Sequence, residues 1–486
     1  MGALAIVNEQ VLEKTVERCR QRGIIIPTLA QQRDPRLVPQ QIVQRLKQVG
    51  LWDIDPVNLF RITWKNEPVE QGGLFNDGNW IEFPPALTGV EARIVGLVGK
   101  WFPTGSHKVG AGFGCLVPRL ITGGFDPTTQ KAVWPSTGNF CRGGAFDCAL
   151  LACTAVAILP EEMSRERFEW LRSIGAEVIA TPGCESNVKE IYDKCWEIRR
   201  TRPDCVIFNQ FEEFGNAIWH YHITGSMVAE LFERLSGGAA RLAAWVSATG
   251  SAGTIAAGDY LRKCHPQLKV VATEALQCPT LLYCGFGGHR IEGIGDKHVP
   301  WIHNVRNTDV VTAVDDQQCL ALLRLFNEPA GGELLEREGV DRELIEQLPL
   351  LGISGICNLV AAIKTARYFE LSARDMIFTP LTDSAGMYRS RIDEQRQTAG
   401  PYTAELAGRH LERYLRGIAI DHYRELDYYG RKTLHNFKYF TWVEQQQRDV
   451  DELRQLWDPD FWEQTWQQAE QWDRLIEEFN RRVGLL

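Results

Sequence analysis

The sequence holds no Cys-x-x-Cys pair, no dense run of lysine or arginine, and no apolar stretch approaching a membrane span. Each absence removes a class of function. Thirteen cysteines, odd in number and irregularly spaced along a long chain, read as reduced thiols, not as a disulfide framework or a zinc site. A formal net charge of −9 without a basic patch excludes a general nucleic-acid surface. The lack of a long apolar run excludes a membrane-spanning helix. Met1 to Gln10 has neither a basic start nor a long apolar core, so it does not read as a secretory signal. The residues after Gly2 lack the Ser or Thr that myristoylation needs. No internal repeat or low-complexity linker occurs. The expected location is the cytoplasm, with no nucleic-acid and no membrane partner.

A chain of 486 residues exceeds one ordinary core and points to two domains and an appendage. Residues 1–84 mix short helical patterns, at 11–22 and 40–49, with connectors rich in Pro and Asn, and are expected to pack on the core. From about Glu91 short apolar runs alternate with longer amphipathic stretches, the signature of an α/β fold. Strands are expected at 152–159, 177–181, 241–247 and 269–274, with helices at 164–174 and 253–263. After Ser390 the texture turns rich in Gln and Trp. Trp462 and Trp466, four apart, share a helix face.

Lys108 follows the turn Pro103-Thr104-Gly105-Ser106-His107. A lysine held by a tight loop and buried loses its proton more readily, and a neutral amine attacks an aldehyde to form a Schiff base. Downstream, Ser136-Thr137-Gly138-Asn139 offers hydroxyls, an amide and backbone N–H groups at one turn. That set suits an amino-acid carboxylate and the phenolic oxygen of a ring cofactor. Together they read as a pyridoxal 5'-phosphate enzyme acting on amino acids.

Three further strings join them. Gly250-Ser251-Ala252-Gly253-Thr254 stands between an expected strand and helix, where glycines let a backbone approach a phosphate; a plain turn is the other reading. Ser354, in Gly352-Ile353-Ser354-Gly355, faces a ring nitrogen or caps a helix. Gln210, in Asn209-Gln210-Phe211, binds a carboxylate or satisfies a loop. His298 and His303, near Asp296, match no metal-ligand spacing, so no metal is expected.

The order of these strings, with Glu161-Glu162-Met163-Ser164, Gly175-Ala176-Glu177-Val178 and Glu292-Gly293-Ile294-Gly295 between them, resembles the cysteine synthase branch of the tryptophan-synthase-β superfamily, the fold type II pyridoxal-phosphate enzymes. The resemblance runs from about Pro85 to Arg391. It implies two open, twisted, mostly parallel-sheet domains with the cofactor in the cleft between them. These are a smaller one at 85–225 and a larger one at 226–390, followed by a mainly helical extension at 391–486. It implies that Lys108 forms the Schiff base with the cofactor and acts as general base, and that Asn139 meets the cofactor's O3′. Gly250, Ser251, Ala252, Gly253 and Thr254 would cradle the phosphate, and Ser354 would meet the pyridine nitrogen. Ser136, Thr137, Gly138 and Gln210 would hold the substrate carboxylate, and Thr382-Asp383-Ser384 would end a strand near the ring. A homodimer is implied as well.

A neutral serine at the ring nitrogen makes the cofactor a weaker electron sink, which favours loss of a Cβ substituent over transamination. The expected reaction is β-elimination from a β-substituted alanine, releasing pyruvate and ammonia. The alternatives are β-replacement of the cysteine synthase type and a catalytically silent binding scaffold. The chain departs from the family pattern after Asn139, at Phe140-Cys141-Arg142. Arg142 reads an extra acidic group on the substrate or pairs with a surface carboxylate. The extension after Ser390 has no counterpart in plain cysteine synthases and is expected to make dimer contacts or cover the site.

Overall fold

Apolar runs bounded by glycine and proline become strands buried on both faces, as a parallel sheet covered by helices requires. The computed structural model describes residues 4–136, 138–183 and 187–485. The strands are β1 (Trp80–Phe83), β2 (Arg93–Val98), β3 (Lys131–Pro135), β4 (Thr154–Pro160), β5 (Glu177–Thr181) and β6 (Cys205–Ile207), then β7 (Arg241–Ala248), β8 (Lys269–Ala275), β9 (Val310–Val314), β10 (Asp375–Leu381) and β11 (Tyr423–Glu425). They form a seven-stranded sheet in the order β1-β2-β10-β7-β8-β9-β11 and a four-stranded sheet in the order β5-β4-β3-β6. The small sheet is wholly parallel. The large one is parallel except at its edges, where β1 pairs antiparallel with β2 and β11 with β9.

The helices that position the site are α1 (Glu9–Arg22), α2 (Lys108–Ile121), α3 (Asn139–Leu150), α4 (Arg165–Ser173), α5 (Ala256–Cys264), α6 (Ile353–Tyr368), α7 (Tyr428–Lys438) and α8 (Pro459–Val483). The expected strands and helices occur with ends moved by at most three residues. The segment 40–49 is helical only over Gln40–Leu46. The 253–263 helix starts at Ala256, after a turn.

One expected boundary needs correcting. Residues 85–98 were assigned to the smaller unit, but β2 pairs in register with β10 (Ile94 opposite Ile377, Val98 opposite Leu381) and so belongs to the large sheet. The extension is mainly helical, as expected, with β11 adding one edge strand beside β9.

The extension packs on the core of its own chain. Trp442, Trp462, Trp466 and Trp472 are buried. Trp466 of α8 stacks on Tyr221 with ring centroids 4.5 Å apart, and Phe214 meets the rings of Phe461 and Trp462 edge-on. The N-terminal segment closes over the same helix. Asp473 accepts the backbone N–H groups of Leu29 (2.6 Å) and Ala30 (3.0 Å), and Asn480 exchanges hydrogen bonds with the backbone of Ile26. Trp466→Ala is expected to cost about 3–5 kcal/mol of stability, the range for deleting a buried aromatic. Urea unfolding followed by fluorescence measures it, and a loss below about 1 kcal/mol contradicts this packing.

Candidate active site

Lys108 opens α2 after a turn in which Thr104 takes a left-handed φ of 67°. Its amine is buried and donates to Gln210 Oε1 at 3.3 Å and Ser251 Oγ at 3.2 Å. Gln210 Nε2 reaches Ser136 Oγ at 3.4 Å. Asn216 Nδ2 ties Gln210 O to Ser251 Oγ, at 3.0 Å from each. The lysine loop, the serine–asparagine loop, Gln210 and the glycine turn thus meet around one amine, from positions as much as 143 residues apart.

Gly138 has φ 150°, and a Cβ there would collide with the guanidinium of Arg167, so only glycine fits. Asn139 begins α3, and its Nδ2 donates to Asp383 Oδ2 at 2.7 Å, while its Oδ1 is buried without a partner. Thr137 lies outside the described residues. Ser354 sits inside the first turn of α6, whose N-cap is Gly352, so it is not the helix cap. Its Oγ is buried and unpartnered.

In the glycine turn, Ala252 takes a left-handed φ of 63°. Gly250 lies against Gly293 O, and Gly253 lies so close to Asn216 that a Cβ would strike its amide. Thr254 Oγ1 bonds Ser247 Oγ at 2.6 Å.

Arg142 is not on the surface. It is buried behind Asn139, stacked 4.6 Å from the Trp170 ring and 5.7 Å from Trp52, with Nη1 3.2 Å from Met387 Sδ. It makes no ion pair with a described carboxylate, which removes the surface-pair reading. Burial, then the neighbouring Arg167, push its pKa down to about 10.

A buried network that the sequence does not announce links the site to its surroundings. Arg167 Nη2 lies 3.1 Å from Tyr388 OH and 3.4 Å from Glu292 Oε2. Tyr388 OH donates to Asp383 Oδ2 at 2.6 Å, and Arg391 Nε donates to Glu292 Oε1 at 2.7 Å. In the sequence Arg167 is an ordinary basic residue early in a helix. The one available signal was glycine at 138, which implies a close neighbour.

The loop after Glu292 is gripped by the extension. Trp442 Nε1 donates to Val299 O at 2.9 Å, and the buried Lys438 amine donates to Trp301 O at 2.9 Å and His303 O at 2.7 Å. His298 bonds Tyr192 OH at 3.1 Å and His303 bonds Thr308 Oγ1 at 2.9 Å, and burial pushes both down to about 3. They are neutral parts of the wall. Among the described residues no group of three or more His, Cys, Asp or Glu could hold a metal, and no helix is long and apolar enough to cross a membrane.

Residues 101–334 match the family model described as pyridoxal-phosphate dependent enzyme. A probable cysteine synthase of Bacillus subtilis is 27% identical over 289 residues, which span 59% of this chain and 85% of that protein. A cysteine synthase of Staphylococcus aureus is 29% identical over 263 residues, 53% of this chain and 75% of the relative. Among solved structures, a hydrogen sulfide-producing enzyme of Fusobacterium nucleatum superposes with a TM-score of 0.54 at 22% identity. That superposition covers 64% of this chain and 96% of the other, and establishes the shared fold.

The side chains fit pyridoxal phosphate. The buried, unpartnered oxygens of Asn139 and Ser354 need polar partners, and a glycine turn beside the lysine suits a phosphate. Gly253→Ala, which pushes Asn216 against the turn, is expected to weaken cofactor binding about tenfold or more, ~1.4 kcal/mol. Titration of the cofactor-free protein by absorbance tests this, and unchanged affinity contradicts the cradle.

Proposed function

Because the chain belongs to the fold type II pyridoxal-phosphate enzymes, which carry out β-replacement and β-elimination, we propose that it performs β-replacement on a β-substituted L-alanine. The burial of Lys108, Asn139 and Ser354 carries this reading. Buried surroundings keep an unsaturated product from water until a nucleophile arrives. Release as pyruvate and ammonia, the first expectation from the sequence, is the other outcome of the same machinery.

Pyridoxal phosphate, when bound, supplies an aldehyde for amines and a ring that spreads the charge of a deprotonated Cα. In this reading Lys108 holds it, Ser354 meets its ring nitrogen, Asn139 its O3′, and Gly250, Ser251, Ala252, Gly253 and Thr254 its phosphate. Ser136, Thr137, Gly138 and Gln210 hold the substrate carboxylate and fix the Cα–H bond in the orientation that deprotonation requires. The freed amine of Lys108 takes the Cα proton. Arg142, a buried cation without a carboxylate, meets an additional acidic group of the substrate. The reading includes a small-molecule amino acid as substrate and a homodimer, the latter tested by light scattering.

Lys108→Ala is expected to lower turnover by at least ~10³-fold. Borohydride reduction of the loaded wild type should fix the cofactor on Lys108, located by mass spectrometry. A label elsewhere, or an active variant, refutes the assignment. For Arg142, the wild type should bind cysteate in preference to 2,3-diaminopropionate, and Arg142→Leu should reduce that preference about tenfold, ~1.4 kcal/mol. An unchanged preference removes Arg142 from substrate recognition.

A further inference from the structure

The loop facing the glycine turn runs from Glu292 to Asp296. Gly293 (φ 99°) and Gly295 (φ 78°) turn it in left-handed conformations. Gly295 N–H donates to Thr249 O at 2.8 Å, and Gly293 O lies against Gly250. Thr280 Oγ1 donates to Asp296 O at 2.6 Å. These anchors hold the Asp296 backbone against the turn whose Ser251 accepts from the Lys108 amine.

The Asp296 carboxyl is buried, with Oδ2 unpartnered, and it makes no ion pair with a described side chain. Four groups act on it or stand beside it: the Lys108 amine from α2, the Tyr192 hydroxyl, the Cys278 thiol, and the His298 ring on its own loop. Tyr192 is engaged with His298, and both His298 and Cys278 are uncharged. Burial pushes Asp296 up to about 7, against the pull of the Lys108 amine. A buried, unpartnered carboxyl on a loop anchored to the glycine turn, changing charge near neutrality, is suited to proton transfer. The chemistry at Cα leaves it unused.

We propose that Asp296 is the proton-transfer group for the Cβ substituent, while Lys108 serves Cα; this rests on the β-replacement reading above. In the first half, Lys108 takes the Cα proton and the freed electron pair becomes a second Cα–Cβ bond. The Cβ–X bond breaks with its pair going to X, which takes the Asp296 proton and departs as HX. In the second half a thiol or other NuH gives its proton to Asp296 as the Nu–Cβ bond forms, and Lys108 returns the proton to Cα. Both residues end as they began. The substrate class that needs this device bears a hydroxyl or thiol on Cβ, which leaves poorly without a proton; an acetate ester needs it far less.

The test compares loaded wild type, Asp296→Asn and Asp296→Ala on L-serine, L-cysteine and O-acetyl-L-serine with a thiol acceptor. The variants should lose about 100-fold or more in kcat/KM on serine and cysteine. The ratio favouring O-acetylserine should rise at least about tenfold. Independently of turnover, the infrared difference between cofactor-free wild type and Asp296→Asn should contain a protonated-carboxyl band titrating near pH 7, which subtraction separates from buried Asp259 and Glu274, raised to about 6 and about 8. An equal loss on all three substrates, or a difference spectrum without that band, overturns the role of Asp296 and leaves β-replacement standing. A wild type inert toward all three overturns both.

Discussion

The site depends on keeping one amine out of water. A buried lysine needs hydrogen-bond acceptors in place of solvent, and here Gln210 and Ser251 supply them. Neither residue is near Lys108 in sequence, so both sheets must be assembled before the amine has its surroundings. The small sheet carries the Ser136 loop at the end of β3, and the large sheet carries the glycine turn after β7 and Ser354 at the start of α6. These loops lie at the carboxyl ends of parallel strands, the rim where open α/β sheets present ligand sites.

Around that amine the charges are arranged in tiers. Closest are neutral groups: Gln210, Ser251, Ser136 and a His107 that burial, then the Lys108 charge, push down to about 3. Behind them lie Arg167, Glu292, Asp383, Tyr388 and Arg391, which hold one another by three hydrogen bonds and the Arg167–Glu292 ion pair. Unpaired buried charge is costly, so the network fixes the relative position of α4, the 292 loop and the turn after β10. Gly138 rests directly on it.

Much of this was legible in the sequence. The lysine turn, Ser136, Gly138, Asn139, Gln210, the glycine turn and Ser354 were each visible as strings; hydrogen bonds join Lys108, Gln210, Ser136 and Ser251, and Asn139 and Ser354 are buried. What stayed hidden came from long-range pairing. Nothing local to 93–98 says that it lies beside residues 376–381, so the segment was placed in the smaller unit. Arg167 has the neighbours of a surface residue in sequence, yet it is fully buried because a glycine 29 positions earlier makes room for it. The tryptophans of the extension showed a helix face but not its partner, which turned out to include Tyr221 and Phe214 of the same chain. The grip of Lys438 on two backbone carbonyls had no signal at all, because carbonyls carry no sequence.

The clasp between the two ends of the chain bears on how the protein is made. Leu4 bonds Gln471 across 467 positions, and Asp473 caps the backbone at Leu29 and Ala30. During synthesis α1 leaves the ribosome long before α8 exists, and its apolar face, with Leu12, Val16 and Cys19, waits for that partner. Closing so distant a contact is slow and leaves sticky surface open meanwhile. A chain cut short before the last turns of α8 leaves the apolar face of α1 unshielded, a state that chaperones and proteases can recognise.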